Sequence, residues 1–376
     1  MPAGNDPLEI VEVTIAGKPI RGFTSVSLAL SVEKASRSAS LAFSDLDGLD
    51  EVFPGDEVTI TASGDLMLTG YVGTVSPGHD EGDHAVSITI ESKALDADEA
   101  SIVHKSGFVE KKNLKAIAEE FDTCGVGIVC DESFPIEPRS MINIGQTLVG
   151  HLRPLARSHG TFLYDTPEGQ LRIAKKPRGR HSGALSIGPG GNILGASAQI
   201  SDKNRHDEVI VRGQSSRGTG AAALRIEAKI KDSGVKRRRP KIIVHESEAT
   251  PAKLKERAER YMKRAAGYSR TASVTVAGWR DEAGKLFEPH FVIAVNDPRI
   301  YTVQDMGIQQ VVLTQETGMG GRGTFAVLSL VDPAALNGEP GGGKKQFETP
   351  DAEAEVSTDD GAAVSVDTGE PLERIL

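Results

Sequence analysis

Apolar and polar positions alternate over much of the first hundred residues, with the two-residue period of strands that bury one face. Leu8–Ile15 opens the series and Ala16-Gly17-Lys18-Pro19 follows as a turn. Phe23–Val32, Ser38–Phe43, Glu57–Ala62, Leu66–Val75 and Ala85–Ser92 continue it, separated by Asp47-Gly48, Pro54-Gly55, Ser63-Gly64 and Pro77-Gly78. Five or six short strands at this spacing predict a small barrel or sandwich.

From about Asp98 the period lengthens. Leu114, Ile117, Ala118 and Phe121 share one helical face, with Asn113 placed to cap the first turn and Gly125 beyond the end. A second helix is expected over Leu148, Leu152, Leu155 and Ala156, ending near Gly160, with Pro154 inside it as a kink or an early stop. Thr161–Tyr164 and Gln170–Ile173 flank Thr166-Pro167-Glu168-Gly169 as a hairpin. A basic, Gly-containing stretch, Lys175–Gly183, leads to strands at Ile193–Ser201 and Glu208–Gly213. Ser215–Gly220 is a polar connection, Ile242–Val244 a strand, and Thr250-Pro251 the start of a helix packing through Leu254, Arg257, Ala258, Tyr261, Met262 and Ala265 and closed by Gly267. Strand patterns resume at Ala272–Ala277, Phe291–Val295, Tyr301–Val303, Gln309–Thr314 and Thr324–Leu330.

The expected fold class is α+β and rich in β: two small β-barrel domains, a small α+β domain, and an inserted strand/helix segment. The first barrel spans 1–97 and the α+β domain 98–183. The second barrel is assembled from 184–215 and 270–334, around a basic insertion at 216–269. Residues 335–376 form an acidic tail with few aromatics, too little apolar surface to support an ordered core. No repeat of fixed period is present, so any likeness between the two β-units has to be structural.

Composition narrows the functional classes. With 376 residues, 38% hydrophobic and 26% charged, the chain is long enough for several cores. No apolar run approaches the ~20 residues of a membrane helix, and Met1–Asp6 lacks the basic start and apolar stretch of an export signal. No membrane anchoring is expected, and the bacterial cytoplasm is a compatible site of assembly. The net charge of −10 is unevenly spread. Arg225–Arg270 holds fifteen bases and six acids, whereas 337–376 holds ten acids and three bases. Such segregation suits subunits that dock through complementary patches.

Candidate chemistry is sparse. The nine histidines include no His-Glu-x-x-His and no pair four residues apart on a helix, so zinc hydrolysis has no support. Cys124 and Cys130 stand as a lone Cys-x5-Cys, read as inert thiols in preference to metal ligands. Asp45–Asp50 resembles a calcium loop, but its Gly comes too early and no glutamate closes it. No Gly-x-Ser-x-Gly elbow exposes a serine. Gly318–Gly323 precedes a strand pattern at Thr324–Leu328, which favours a hairpin turn over a phosphate cradle. No catalytic residue, cofactor or metal is therefore expected. Arg237-Arg238-Arg239-Pro240, preceded by Lys236 and followed by the basic helix 253–264, is the strongest candidate for DNA contact through its charge. Glu256 and Glu259 on that helix, and the scarcity of stacking aromatics, favour subunit docking instead.

The ordered set of motifs resembles a known family. Gly70-Tyr71-Val72-Gly73-Thr74-Val75 is followed by Glu91–Asp98, then Lys112-Asn113-Leu114, Cys124-Gly125-Val126, Gln146-Thr147, Leu155-Ala156-Arg157, Asn192, Ser201–His206, Gly213-Gln214 and Arg237–Pro240. Gly278-Trp279-Arg280, with Gly284, Leu286, Phe287 and Pro289, resembles the family's Gly-Trp-Arg hairpin, with Phe287 where that pattern has Trp. Over residues 8–334 this is similar to the phage Mu baseplate hub family, which overlaps the late control protein D class of tail proteins. The resemblance implies tail-tube-like barrels and a homotrimer whose two barrels per subunit alternate in a ring of near-sixfold symmetry. It implies as partners a central spike protein, tail tube and tape-measure proteins, and baseplate wedge proteins. DNA would pass in transit without sequence-specific binding, and the protein would reside in the virion after assembly in the host cytoplasm. The alternatives are the hub of a contractile injection device or bacteriocin that carries no DNA, and a hub that also degrades cell wall. Gly70, Tyr71, Arg237, Arg238, Arg239, Pro240, Gly278, Trp279 and Arg280 are the candidate structural or interface residues. Trp279, the sole Trp, is open to two readings: a core anchor beneath a hairpin, or an aromatic that touches a partner.

Overall fold

Alternation becomes sheet in the first ninety residues, as β1 (Val11–Ile15), β2 (Lys18–Ile20), β3 (Phe23–Ser31), β4 (Ser38–Phe43), β5 (Glu57–Ala62), β6 (Asp65–His79) and β7 (His84–Ser92). β3 shows the cause: Val26, Leu28 and Leu30 are buried, while the residues between them reach the surface in part. The computed structural model describes residues 9–44, 51–79, 84–214, 226–245, 249–317, 321–338 and 354–355. Asp45–Asp50, Ser215–Gly220, Gly318–Gly320 and most of the acidic tail lie outside the described residues.

The α+β segment contains α1 (Asp96–Glu99), β8 (Phe108–Asn113), α2 (Leu114–Phe121), β9 (Ile128–Val129), β10 (Ile136–Met141), α3 (Leu148–His159), β11 (Phe162–Asp165) and β12 (Leu171–Ala174). Asn113 caps α2 by accepting from the Ala116 amide at 2.9 Å, and Leu114, Ile117, Ala118 and Phe121 are its buried face. α3 departs from expectation, because Pro154 does not shorten it: the helix runs all 12 residues to a left-handed cap at Gly160. The hydrogen bond that Pro154 removes is offset by the burial of Leu148, Val149, Leu152 and Ala156 in the core shared with α2.

The chain then forms β13 (Gly179–Ser186) and β14 (Ile193–Ile200), followed by β15 (Glu208–Gly213), β16 (Ile226–Lys231), β17 (Pro240–Val244) and α4 (Pro251–Gly267). It closes with β18 (Arg270–Ala277), β19 (Phe291–Asp297), β20 (Thr302–Glu316), β21 (Gly323–Val331) and a 3-10 turn at Pro333–Leu336. Two compact units result: Met1–Ala198 with Thr271–Gly343, and Gln199–Arg270 with Lys344–Leu376.

In the smaller unit β15 pairs with β16 antiparallel and with β17 in parallel, and α4 covers one face through Leu254, Ala258 and Met262. Glu208–Gly213, read from sequence as part of the second β-unit, thus belongs to the sheet of the basic segment. Of the C-terminal stretch after residue 338, Ala354–Glu355 is described, as a two-residue strand on β16.

In the larger unit one sheet has the strand order β14-β18-β21-β20-β3-β4-β7-β6-β5-β1-β2, with β19 also on β20 and β13 on β19. Two halves of this path match. The order β3-β4-β7-β6-β5-β1 recurs as β14-β18-β21-β20-β19-β13. β6 and β20 are both 15 residues long, and each bulges at the same step of its ladder. Tyr71↔Glu91 and Val72↔Ile90 are followed by Thr74↔Thr89, just as Gly307↔Val331 and Ile308↔Leu330 are followed by Gln310↔Ser329. Even the neighbouring strand joins at the same point, Glu57 on Tyr71 and Val292 on Gly307. The halves differ in the last pair, since β1 is antiparallel to β5 whereas β13 is parallel to β19.

Three sequence expectations are corrected here. The strands expected at Tyr301–Val303 and Gln309–Thr314 are one, Thr302–Glu316, because the bulge after Ile308 bends the backbone without ending its pairing, while Tyr301 stands outside it as a left-handed cap. β13 begins inside the stretch read as a basic connection. Packing also continues past Pro333, with Pro333, Ala334, Ala335 and Leu336 all buried.

Candidate functional site

The two matching β-units are joined by main chain. β20 pairs with β3 from Gln310↔Ser31 to Glu316↔Ser25, and the Val32 amide donates to the Gln309 carbonyl at 3.0 Å. Alternating buried residues from both strands, Leu28, Leu30, Val311 and Leu313 among them, enter one continuous core. Ser27 and Thr314 hydroxyls meet at 3.3 Å within the ladder.

Gly278-Trp279-Arg280 fastens this joint at its rim. Gly278 has φ +77°, the left-handed region that favours glycine, and this turns the chain out of β18. Trp279 is 1% exposed, and its Nε1 donates to the carbonyls of Thr314 and Phe325, both at 3.1 Å. Its side chain is therefore spent within the core of this chain. Arg280 crosses to the first β-unit. Its Nε donates to Glu9 Oε1 at 2.7 Å, one terminal nitrogen to Asp65 Oδ2 at 2.6 Å, and the other to the Ala62 carbonyl at 2.9 Å. The hydrogen bond to Glu9, reinforced by that to Asp65, holds the guanidinium pKa above its ordinary value against the opposing effect of burial.

Gly70 and Tyr71 lie on the strand that starts at Asp65. A Cβ on Gly70 would sit 1.9 Å from the Glu91 carbonyl oxygen, so only glycine lets β6 approach β7 this closely. Tyr71 is half-buried beside the Lys93 ammonium, 5.9 Å from its ring centre. A further tie was not legible in the sequence. Arg37, 4% exposed, donates through Nε to Asp165 Oδ2 at 3.0 Å, and also reaches the carbonyls of Met67 at 2.7 Å and Asp165 at 3.0 Å. It locks the α+β segment to the first β-unit, yet a lone arginine ahead of a strand carries no periodic signal.

The remaining candidates, Arg237, Arg238, Arg239 and Pro240, lie in the smaller unit. Arg237 pairs with Asp202 at 2.8 Å and Arg238 with Glu208 at 2.9 Å; Arg239 donates to the carbonyls of Asp202 at 2.9 Å and Lys203 at 2.6 Å. Pro240 starts β17 opposite Glu208. This basic run is thus largely matched by acids of the same unit, which lowers its attraction for phosphate. In the depression beside it, lined by Asp202, Gly234 and Arg237, the buried Arg205 guanidinium is bidentate on Asp232 at 2.8 to 3.0 Å.

Titratable pairs in the larger unit hold structure. His181 Nδ1 lies 2.9 Å from Asp281 Oδ2, and its Nε2 accepts from the Glu288 amide at 3.3 Å, so both ring nitrogens are occupied and the side chain is fully buried. Asp281 organises the hairpin turn by also accepting from the amides of Ser182, Ala283 and Lys285. Burial raises the thiol pKa of Cys124 and of Cys130, which makes both less reactive. Among the described residues no three His, Cys, Asp or Glu side chains are grouped to hold a metal ion, and no helix is long and apolar enough to cross a membrane.

Known proteins carry this architecture. Residues 10–90 match the family described as Mu phage baseplate assembly protein GpP-like, N-terminal, and residues 250–339 match Mu phage baseplate assembly protein GpP, fourth domain. Each match falls largely on one of the two β-units, so the chain is similar to Mu-like phage tail proteins in both of them. Over 300 residues the chain is 25% identical to baseplate hub protein gp44 of Escherichia phage Mu, covering 74% of this chain and 77% of that one. By this comparison the chain is similar to the Mu-like baseplate hub proteins. The 43 kDa tail protein of prophage MuSo2 from Shewanella oneidensis superposes with TM-score 0.76 at 26% identity, over 87% of this chain and 99% of that one. A tail protein from Neisseria meningitidis MC58 has the same fold, with TM-score 0.74 at 19% identity, over 87% and 99% of the two chains.

Proposed function

We propose that this baseplate hub works as a homotrimeric ring whose two β-units per copy, each a tail-tube-like barrel, alternate around a common axis. The observation that carries this reading is the duplication of one strand order within a single chain, joined through β3 and β20. A duplicated unit lets three copies present six similar faces, which fits a threefold spike on one side and a sixfold tube on the other. The ring would seat a central spike protein, the tail tube and tape-measure proteins, and the baseplate wedge, and it would let DNA pass without sequence-specific contact.

Its work is mechanical. Force entering one β-unit passes to the next through a ladder of main-chain hydrogen bonds, with Arg280 and Arg37 resisting shear at the edges. No bond is made or broken, in keeping with the structural role of the hub family. The acids that outnumber bases outside the basic segment would disfavour adhesion of DNA to a channel wall. Light scattering on the purified protein tests the reading. The expected particle is three times the 39.9 kDa chain, and a stable monomer or dimer at every concentration would exclude the ring.

A further inference from the structure

Every strand has two edges, and an edge left unpaired invites another chain. In the first β-unit the outer edge of β3 is covered by Gln310–Glu316 of β20. β14 holds the place of β3 in the second β-unit, and among the described residues only β18 lies against it. Ile193–Ile200 contains no charge and no proline, and Leu194 is 59% exposed. The opposite end of the same sheet is protected: β2 is three residues long and contains Lys18 and Pro19, features that discourage strand addition.

The partner edge is also open. Before its bulge β20 pairs with β19, and after it with β3 on the same side. β6 repeats the first half of that arrangement, with Asp65–Tyr71 on β5, but Thr74–Gly78 beyond the bulge has only β7 among the described residues. Thr74, Ser76, Pro77 and Gly78 are exposed, and this stretch too is uncharged. The two bare edges are therefore the counterparts of the two edges already joined inside the chain.

We propose that the outer edge of β14 in one copy pairs antiparallel with Thr74–Gly78 of β6 in the next, repeating between copies the β3–β20 joint within each. The occupant of both edges is a second copy of this chain, because each copy supplies the complement of what it lacks and the intrachain ladder is the template. The contact is head to tail, so it propagates a rotation and closes as a ring. Pro77 occupies the position of Leu313 and has no N–H, so the joint between copies has at most one donor fewer than the joint within. This deepens the ring reading above and rests on it.

Disulfide trapping in the full chain, with Cys124→Ser and Cys130→Ser as background, tests the joint. Ser76→Cys is combined in turn with Ala196→Cys, Ser197→Cys and Ala198→Cys. Oxidation is expected to give a covalent species of trimer mass in one or two of these registers, and none with either single cysteine. Leu194→Lys, placed on an exposed edge, is expected to abolish the trimer while leaving the far-UV circular-dichroism spectrum of the chain unchanged. A wild-type trimer with no disulfide in any register, and unaltered by Leu194→Lys, overturns the joint and leaves the ring standing. Dimers formed by Ser197→Cys alone mean that β14 pairs with its own copy, which overturns the head-to-tail contact. A wild-type chain that stays monomeric removes the ring and the joint together.

Discussion

Individual side chains decide whether this fold tolerates acid. His290 is fully buried, with its Nδ1 3.1 Å from the Tyr164 hydroxyl and its ring against Phe162. Burial brings its pKa down to about 4, outweighing the Leu336 carbonyl that favours the cation, and burial likewise pushes Tyr164 up to about 12. An unfolded histidine titrates near 6.5. Above that pH neither state holds the proton. Between about 6.5 and 4 the unfolded chain binds it while the native chain does not, so stability is lost as pH falls, by about 3 kcal/mol for this one group. His151 and His181 are shifted downward by burial as well and add to the slope. Urea midpoints at pH 7 and pH 4.5 should therefore differ, and His290→Asn, which suits the positive φ of 65°, should reduce that difference. An unchanged slope would mean that His290 does not titrate as its burial implies.

At the level of elements, strands and helices were legible wherever local pattern and burial coincide. Ser38–Phe43 and Glu57–Ala62 form over the residues their alternation predicts, Glu208–Gly213 forms over its β-rich run, and α2 follows directly on the asparagine that caps it. Legibility failed where tertiary contacts override the local signal. β13, β8 and β10 are rich in polar or glycine residues and are held by their ladders, and α3 survives its proline through core packing. The motif residue Gly70 is of the same kind: its importance lies in the strand beside it. Gly70→Ala should cost about 3 kcal/mol, because the new methyl meets the Glu91 backbone and neither strand can retreat. Gly78→Ala on the same strand, whose Cβ would lie 3.9 Å from its nearest neighbour, should leave the denaturation midpoint nearly unchanged. Equal effects of the two would remove the close-approach argument.

For the whole molecule, the joint between β-units makes the larger unit one cooperative sheet. Arg280→Met would take from the half-buried Glu9 its cationic partner, leaving it the Ser63 hydroxyl, and is expected to cost about 2 kcal/mol. Hydrogen exchange should then quicken in β3 and β20 together while the α2–α3 core keeps its protection. Loss of protection confined to the hairpin around Gly284 would show that the arginine secures only its own turn. Of the candidate residues, Arg280 meets Asp65, an acid the sequence did not single out, on the strand that also carries Gly70 and Tyr71; Trp279 is drawn inward, and Arg237–Arg239 lie in the other unit against its acids and carbonyls.

What the sequence determined by itself is the alphabet of elements, because period, caps and turns act over a few residues and are written locally. It also determined the order of motifs that resembles the Mu-like baseplate hub proteins. Which strands become neighbours was decided only in three dimensions, since a ladder such as β20 on β3 joins residues nearly three hundred positions apart and leaves no periodic trace in either segment. The duplication is invisible in the residues for the same reason: strand order and bulge position are properties of pairing, and many side chains satisfy them.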